Sequence, residues 1–230
     1  MTIFDGIILP KTVYECESDV NGHIMVIDIG KTRKLSVNGV VQSVNYDSPS
    51  GKNMYWGRAV EGYKEYFPEL SSVLVLGMGG GTLLHLLAQE FPGIQLTAVE
   101  YDPEMVKIAE EYFSVKDIPN THVIVGDALK VLASPDSYNI PYYSFDSIFV
   151  DMHIGDKYPE LGETGTFISG LKKVVKREGW GVFNRLYWGY HQDDVNAFIQ
   201  DLHMHFGEVK SVVVAGKTNS DNVLIFCKNI

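Results

Sequence analysis

Four glycines form the clearest ligand-binding signal in the sequence. Gly77, Gly79, Gly80 and Gly81 lie directly after the apolar run SVLVLG and directly before the helix-like run TLLHLLAQEF. Glycine lets the backbone approach a ligand closely and adopt positive φ, and the first amides of a following helix bind anionic or polar groups. A tight strand-to-helix turn without a ligand is the alternative. Because such a turn needs fewer glycines, the segment predicts a ligand-binding loop.

Three acidic residues also follow apolar, strand-like runs. Glu100 ends LTAVE, Asp127 follows VIVG, and Asp151 ends FDSIFVD. A carboxylate in the position of Glu100 accepts hydrogen bonds from ribose hydroxyls in nucleotide-binding folds, and one in the position of Asp151 could deprotonate or orient an amine. The plainer alternatives are a solvated acid at Glu100, a helix N-cap at Asp127 and a turn acid at Asp151. For Asp127, the cap and a ligand role are compatible.

The spacing of the glycines distinguishes two classes of nucleoside cofactor. A dinucleotide fingerprint has the form G-x-G-x-x-G, and here its last position is Thr82. The spacing of Gly77, Gly79 and Gly81 instead resembles the G-x-G-x-G of enzymes that bind S-adenosylmethionine (AdoMet). A nicotinamide-dependent oxidoreductase is therefore the weaker hypothesis.

Alternating strands and helices must position these residues. Strand-like runs are separated by helix-like runs from residue 72 onward: strands at 72–77, 95–102, 121–127, 145–151 and 181–186, and helices at 82–91, 103–113, 128–134, 167–179 and 193–206. This order predicts βαβ units and a doubly wound parallel sheet, whose ligands lie outside the carboxyl ends of the strands. The final runs 211–216 and 222–228 predict an antiparallel hairpin that closes the sheet.

The N-terminal part of the chain has a different pattern. Residues 23–30 and 33–47 are rich in Val and Ile alternating with polar residues, as half-buried strands are, and Asn38-Gly39 is a hairpin-turn signal. The run 55–67 looks helical. We therefore expect a small β segment over residues 1–53 and a main domain over residues 54–230.

Composition narrows the class of protein. The 230 residues carry a net charge of −10, which gives no electrostatic footprint for nucleic acid, although acidic charge could attract a cationic substrate. No apolar run approaches the roughly 20 residues of a membrane helix, and the N-terminus lacks the features of a signal peptide. Cys16 and Cys227 have no disulfide or zinc spacing. We expect a cytoplasmic protein that binds no metal, no nucleic acid and no membrane.

The combined motifs resemble the spermidine synthase superfamily over approximately residues 20–185. The segments that carry the resemblance are RKLSVNGVVQS, GMGGGT, VEYDPEMVKIAEEYF, VIVGDALKVL, FDSIFVDMHIGDKYP and TFISGLKKVVKREGWGVFN. The resemblance implies an α/β, doubly wound, Rossmann-like class I methyltransferase fold with a C-terminal antiparallel hairpin, preceded by a small N-terminal β-hairpin domain. It also implies a homodimer.

The resemblance further implies a cofactor site for AdoMet or decarboxylated AdoMet. In that family the acid after the third strand holds the adenine amino group, with the next backbone amide beside it. The residues so implied are Gly77, Gly79, Gly80, Gly81, Glu100, Tyr101, Asp127 and Ala128.

The acceptor side is implied in the same way. Asp151 falls at the family's proton-accepting aspartate, Gln42 at its substrate-side glutamine, and Tyr55 and Trp56 at a wall of the site. His153 could be a general base near neutral pH or a surface residue. The residues after the fifth strand could form an aromatic rim or pack against the next helix: Arg185, Tyr187, Trp188, Tyr190 and His191. The stretch 156–165 is predicted to form a lid loop over the pocket.

Two departures from the family weaken a diamine assignment. Aminopropyltransferases carry an aspartate where this chain has Gly80, and a second aspartate where it has Ile154. Each lost acid removes a charge-assisted hydrogen bond of roughly 1.5–3 kcal/mol, unless Asp156 compensates. The leading hypothesis is transfer of a methyl or aminopropyl group to an amine-type small molecule. A non-catalytic nucleoside-binding protein with the same fold is the alternative.

Overall fold

Two β-sheets organise the chain in the computed structural model, which describes residues 8–153, 158, 164–189, 191–216 and 221–229. The smaller sheet is antiparallel, with four strands in the order of the chain: β1 Lys11–Ser18, β2 Gly22–Ile29, β3 Thr32–Val37 and β4 Val40–Val44. Asn38 and Gly39 turn between β3 and β4 with φ of 49° and 83°. Positive φ at both positions suits a two-residue hairpin, and the predicted turn is confirmed.

The larger sheet has seven strands in the order β10-β11-β9-β8-β5-β6-β7. Its strands are β5 Ser72–Leu76, β6 Gln95–Glu100, β7 Thr121–Val125, β8 Phe145–Val150, β9 Val175–Leu186, β10 Glu208–Val214 and β11 Asn222–Lys228. Strands β5 to β9 are parallel, and β11 pairs antiparallel with both β9 and β10. The doubly wound sheet with a terminal hairpin is confirmed. The domain boundary near residue 53 stays a prediction.

Helices cover both faces of the larger sheet. They are α1 Pro49–Asn53, α2 Tyr55–Tyr66, α3 Thr82–Glu90, α4 Pro103–Tyr112, α5 Ala128–Ala133, α6 Thr164–Val174 and α7 His191–His205. One apolar cluster packs α2 and α3 against the sheet, and a second packs α5, α6 and α7 against its other face. Among the described helices, none has the length and apolar character to cross a membrane.

Helix α6 ends earlier than the sequence pattern predicts. The predicted helix runs to Gly179, whereas α6 stops at Val174 and β9 begins at Val175. Val175 pairs with Phe145, and the pairing register then shifts before Trp180 pairs with Ser147. The predicted helix was wrong over residues 175–179 because β-sheet pairing with β8 outweighs local helical periodicity there.

The smaller sheet docks on α4 through one buried acid. Asp102 is 1% exposed and caps α4, because its Oδ1 accepts from the amide of Glu104 at 2.9 Å. Its Oδ2 accepts from the hydroxyl of Ser18 and from Nδ2 of Asn21, the latter at 2.7 Å. One carboxylate therefore joins the β1–β2 turn to the start of the helix that follows β6.

We expect Asp102→Ala to lower the free energy of unfolding by about 2–4 kcal/mol, because it removes a helix cap and leaves the donors of Ser18 and Asn21 without their acceptor. Urea unfolding followed by circular dichroism measures the loss. Glu111→Ala, an exposed acid on the same helix, is the matched control and should change stability by less than about 0.5 kcal/mol. Equal losses in the two variants would contradict the docking role.

Candidate active site

A cavity of about 320 Å³ lies at the carboxyl ends of β5, β6, β7 and β8. Its size is that of a small-ligand site. Most of the predicted site residues line it: Gln42, Tyr55, Trp56, Gly77, Gly79, Glu100, Tyr101, Asp127, Ala128, Asp151 and His153. The parallel strands thus bring to one edge residues that are far apart in sequence.

Gly77 lets the glycine loop touch the end of β8. Its φ is 88°, and a Cβ at this position would lie 2.2 Å from the backbone oxygen of Asp151. Its amide donates to the carbonyl of Val99 at 2.9 Å. A side chain at Gly77 would force the loop and Asp151 apart, so glycine is needed for close backbone approach as well as for positive φ.

Gly80 and Gly81 form the part of the glycine loop that faces β4, and they do not line the cavity. The amide of Gly80 donates to Oγ of Ser43 at 2.8 Å, and a Cβ at Gly80 would lie 2.8 Å from Cβ of Ser43. Thr82 Oγ1 donates to the carbonyl of Val44 at 2.5 Å. Gly81 caps α3 with φ of 75°. Strand β4 therefore packs on the loop and fills the space that a side chain at Gly80 would need.

Glu100 binds the backbone amides of the same loop from the side of the cavity. It is 9% exposed, and its Oε2 accepts from the amides of Met78 and Gly79 at 3.0 and 3.2 Å, while Oε1 accepts from the amide of Asp102 at 3.1 Å. Burial raises the pKa of Glu100, and these backbone hydrogen bonds oppose the rise. In this arrangement the carboxylate orders the loop and also faces the cavity.

Asp127 and Ala128 lie at the start of α5. Oδ1 of Asp127 accepts from the amide of Leu129 at 2.9 Å, so the predicted N-cap is confirmed. Ala128 is the first helical residue, and its amide has no acceptor within the helix. Both residues line the cavity, and Leu129 contributes an apolar surface beside them. An acceptor, a donor and an apolar surface together fit the edge and face of an adenine-like base.

The Asp151 carboxylate is held by side chains from two other elements. Tyr55 of α2 donates its hydroxyl to Oδ2 at 2.8 Å, and Nδ2 of Asn184 in β9 donates to Oδ1 at 2.7 Å. Asn184 is itself fixed by Nδ2 of Asn222 at 2.9 Å. Burial, together with the neighbouring Asp151 carboxylate, raises the pKa of Tyr55 well above its ordinary value. The phenol therefore remains a hydrogen-bond donor.

The predicted acceptor-side residues divide into two groups. Gln42, Trp56 and His153 line the cavity, and the Trp56 ring packs against Tyr55 with centroids 4.4 Å apart. Tyr187 does not line it, and its exposed hydroxyl donates to Oδ1 of Asn196 at 3.2 Å.

Other residues of the predicted rim and lid contribute little to the described cavity. Arg185 stacks on Tyr158, with its guanidinium carbon 3.7 Å from the ring centroid, and Trp188 packs against His191. Ile154, Asp156 and Tyr190 lie outside the described residues, as does most of the predicted lid at 156–165.

Several residues of the site were missed from the sequence. Asn21 reaches the cavity from the β1–β2 turn, and Met105 lines the cavity while only 4% exposed. Asn184 was passed over although it follows an apolar run at the ligand edge, and this position was the one available signal. No local pattern marks Asn21, because its place depends on how the smaller sheet docks.

The electrostatic character of the cavity is acidic. Glu100, Asp127 and Asp151 line it together with one histidine, His153. Among the described residues, no group of three or more His, Cys, Asp or Glu is placed to hold a metal ion. The acids are spread over three strand ends, which suits separate polar groups of an organic ligand and a cationic amine.

Comparisons with known proteins place these features in a family context. Residues 73–179 match the methyltransferase domain family. The chain is 30% identical over 146 residues to the polyamine aminopropyltransferase of Vibrio vulnificus, covering 63% of this chain and 48% of that protein. It is 29% identical over 162 residues to the eEF1A lysine and N-terminal methyltransferase homolog of Drosophila melanogaster, covering 68% of this chain and 23% of that protein.

The fold has a close structural counterpart. The crystal structure of spermidine synthase from Thermotoga maritima superposes with a TM-score of 0.75 at 14% identity, covering 96% of this chain and 73% of that one. The chain spans about half the length of the Vibrio relative, at 48% of that protein.

The packing of Gly80 on Ser43 generates a stability prediction. We expect Gly80→Ala to cost about 1–3 kcal/mol, because its methyl group would overlap Ser43. Ser43→Gly should reduce that cost, so that the double variant loses less stability than the sum of the single variants. Urea unfolding of all four proteins measures the coupling. Strictly additive losses would contradict the steric contact, and Gly165→Ala, whose added methyl would meet no atom nearer than 3.7 Å, should cause no loss.

The raised pKa of Glu100 generates a pH prediction. The folded protein holds the Glu100 proton more tightly than the unfolded chain does, so its contribution to stability is lost as the pH rises through the raised pKa. Glu100→Gln does not titrate. We therefore expect the wild type to lose stability relative to Glu100→Gln as the pH rises above the ordinary glutamate pKa of about 4.3. A pH-independent difference would contradict this, and exposed Glu111→Gln is the control.

Proposed function

We propose that this chain, a spermidine synthase-like protein with the class I methyltransferase fold, is a transferase that uses AdoMet or decarboxylated AdoMet and an amine-type small-molecule acceptor. One observation carries the proposal. The glycine loop, Glu100, Asp127 and Asp151 converge on a single cavity of about 320 Å³.

The polar groups of the cavity suit a nucleoside cofactor. Glu100 offers its carboxylate to ribose hydroxyls while it orders the loop, and Asp127 and the Ala128 amide recognise the edge of the base. Met105 and Leu129 supply apolar surface for its ring. Gly79, with φ of 52°, lines the cavity, and a Cβ at this position would lie 2.9 Å from Oγ of Ser43.

The acceptor end of the cavity is built around Asp151. When bound, the cofactor supplies an electrophilic carbon next to a sulfonium. Tyr55 and Asn184 fix the Asp151 carboxylate, which attracts and orients the acceptor amine. Trp56 and Gln42 wall the same region, and the buried surroundings limit the access of water.

The space around Gly80 favours methyl transfer over aminopropyl transfer. Aminopropyltransferases grip the amino tail of their cofactor with an aspartate at this position. In this chain Ser43 occupies the space that such a side chain would need, and Gly80 does not line the cavity. A tail that bears both an amine and a carboxylate, as in AdoMet, depends less on that acid. Aminopropyl transfer remains the second candidate, since the Vibrio relative is a polyamine aminopropyltransferase.

Calorimetric titration with AdoMet, decarboxylated AdoMet and methylthioadenosine tests the proposal. We expect AdoMet to bind more tightly than decarboxylated AdoMet. Glu100→Ala should weaken AdoMet binding about 10- to 100-fold, as the loss of a charge-assisted hydrogen bond implies. Glu111→Ala is the control. Binding of none of the three compounds would overturn the cofactor assignment.

Turnover distinguishes the candidate reactions. With 1,4-diaminobutane and other amines as acceptors, release of S-adenosylhomocysteine supports methyl transfer and release of methylthioadenosine supports aminopropyl transfer. Asp151→Asn should lower either rate by about 10²- to 10⁴-fold while AdoMet still binds. Tight AdoMet binding without turnover on any amine would favour the non-catalytic alternative.

A further inference from the structure

We propose that His153 is the group that accepts the proton from the acceptor amine, and that Asp151 acts mainly by positioning the His153 imidazole and the amine. The inference rests on the proposed function and deepens it, because it assigns the proton transfer to a residue that the cavity itself presents. Three features support it: the contacts of Asp151, the surroundings of the two His153 nitrogens, and the Tyr158 ring that packs against the imidazole.

The Asp151 carboxylate already receives several donors from the protein. Oδ2 accepts from the hydroxyl of Tyr55 at 2.8 Å, and Oδ1 accepts from Nδ2 of Asn184 at 2.7 Å. Nδ1 of His153 lies 3.4 Å from the same Oδ1. A carboxylate has about four lone-pair positions, and two of those on Asp151 already accept hydrogen bonds from the protein. Such a carboxylate is well placed to orient a neighbour.

His153 has the complementary arrangement. Its side chain is 11% exposed and lines the cavity. Nδ1 lies at an ion-pair distance of 3.4 Å from Oδ1 of Asp151, whereas Nε2 is buried and has no hydrogen-bond partner in the described part of the chain. A neutral imidazole that carries its proton on Nδ1 presents a lone pair on Nε2. A buried acceptor without a partner, in the wall of a ligand cavity, is what an incoming amine N–H would satisfy.

Aromatic packing fixes the orientation of the ring. Tyr158 packs edge-on against His153, with ring centroids 4.5 Å apart. The guanidinium of Arg185 lies over the Tyr158 ring, 3.7 Å from its centroid. Phe198 packs against the same guanidinium at 4.6 Å. The imidazole is therefore held between the Asp151 carboxylate and a stacked pair, which limits its rotation.

The charged and titratable groups around the imidazole come from several elements. Asp151 follows β8, Tyr55 belongs to α2 and contacts the far side of the carboxylate, and Arg185 belongs to β9 behind Tyr158. Burial raises the pKa of Tyr158 well above its ordinary value, so this phenol stays neutral. Burial lowers the pKa of Arg185. The Asp151 carboxylate is the anion nearest to the ring among the described residues.

The proton balance of the step is complete. The neutral amine nitrogen forms a bond to the electrophilic carbon while the carbon–sulfur bond breaks. The electron pair of the carbon–sulfur bond stays on sulfur, which leaves as a neutral thioether. The alkylated nitrogen, now cationic, gives one proton to Nε2 of His153. The resulting imidazolium is stabilised by Asp151 and returns its proton to solvent after the products leave. No oxidant or further reactant is required.

A structural role for His153, as a packing partner of Asp151 and Tyr158, is the competing interpretation. Nitrogen-15 NMR of histidine-labelled protein distinguishes the two without any turnover. We expect the signal that is absent in His153→Gln to show a protonated Nδ1 and an unprotonated Nε2 near neutral pH. Asp151→Asn should weaken this tautomer preference. The opposite tautomer, with the proton on Nε2, would overturn the proposal.

Kinetics provide the second test, with the amine that the wild type turns over fastest as the acceptor. His153→Gln should lower kcat/KM by about 10²- to 10⁴-fold and remove the acidic limb of its pH profile, with calorimetric AdoMet binding unchanged. His122→Gln, an exposed histidine on β7, is the matched control. A His153→Gln enzyme with wild-type kcat/KM and an unchanged pH profile would overturn the inference. Failure of the wild type to bind either AdoMet or decarboxylated AdoMet would instead overturn the proposed function, while the NMR experiment would still test the His153–Asp151 pair.

Discussion

The close approach of the glycine loop to the end of β8 is the constraint on which the site depends. Gly77 has φ of 88°, and a Cβ there would lie 2.2 Å from the backbone oxygen of Asp151. The Asp151 amide also donates to the carbonyl of Leu76 at 2.8 Å, which extends the pairing of β5 and β8 to the loop. Because this contact admits no side chain, the glycine loop and the Asp151 carboxylate lie side by side in one cavity.

The smaller sheet contributes a second constraint from the opposite side. Ser43 and Val44 hold the back of the glycine loop, while Asp102 ties the β1–β2 turn to α4. The packing that secures the loop also fills the space beside Gly80. The departure from the aminopropyltransferase pattern is therefore more than a missing carboxylate, since the side chains of Ser43 and Phe113 occupy its position. A larger residue at Gly80 could be accommodated only if Ser43 in β4 were also changed.

The end of the cavity around Asp151 combines a hydrogen-bonded carboxylate with one buried nitrogen that has no partner among the described residues. Tyr55, Asn184 and Asn222 form a hydrogen-bonded chain that fixes the Asp151 carboxylate, and such preorganisation lowers the cost of aligning reactants. By contrast, Nε2 of His153 is buried without a partner among the described residues. The two neighbouring titratable groups therefore differ in the hydrogen bonds that the protein gives them.

The sequence by itself determined the sheet class and which strand ends carry Gly77, Glu100, Asp127 and Asp151. It could do so because apolar runs mark parallel strands, and the carboxyl ends of such strands meet at one edge. Only the tertiary structure decided that Asn21 and Met105 join the cavity, that Asn184 holds Asp151, that Tyr187 points elsewhere and that α6 ends at Val174. These outcomes depend on side-chain direction and on contacts between segments far apart in the chain, which local periodicity does not encode.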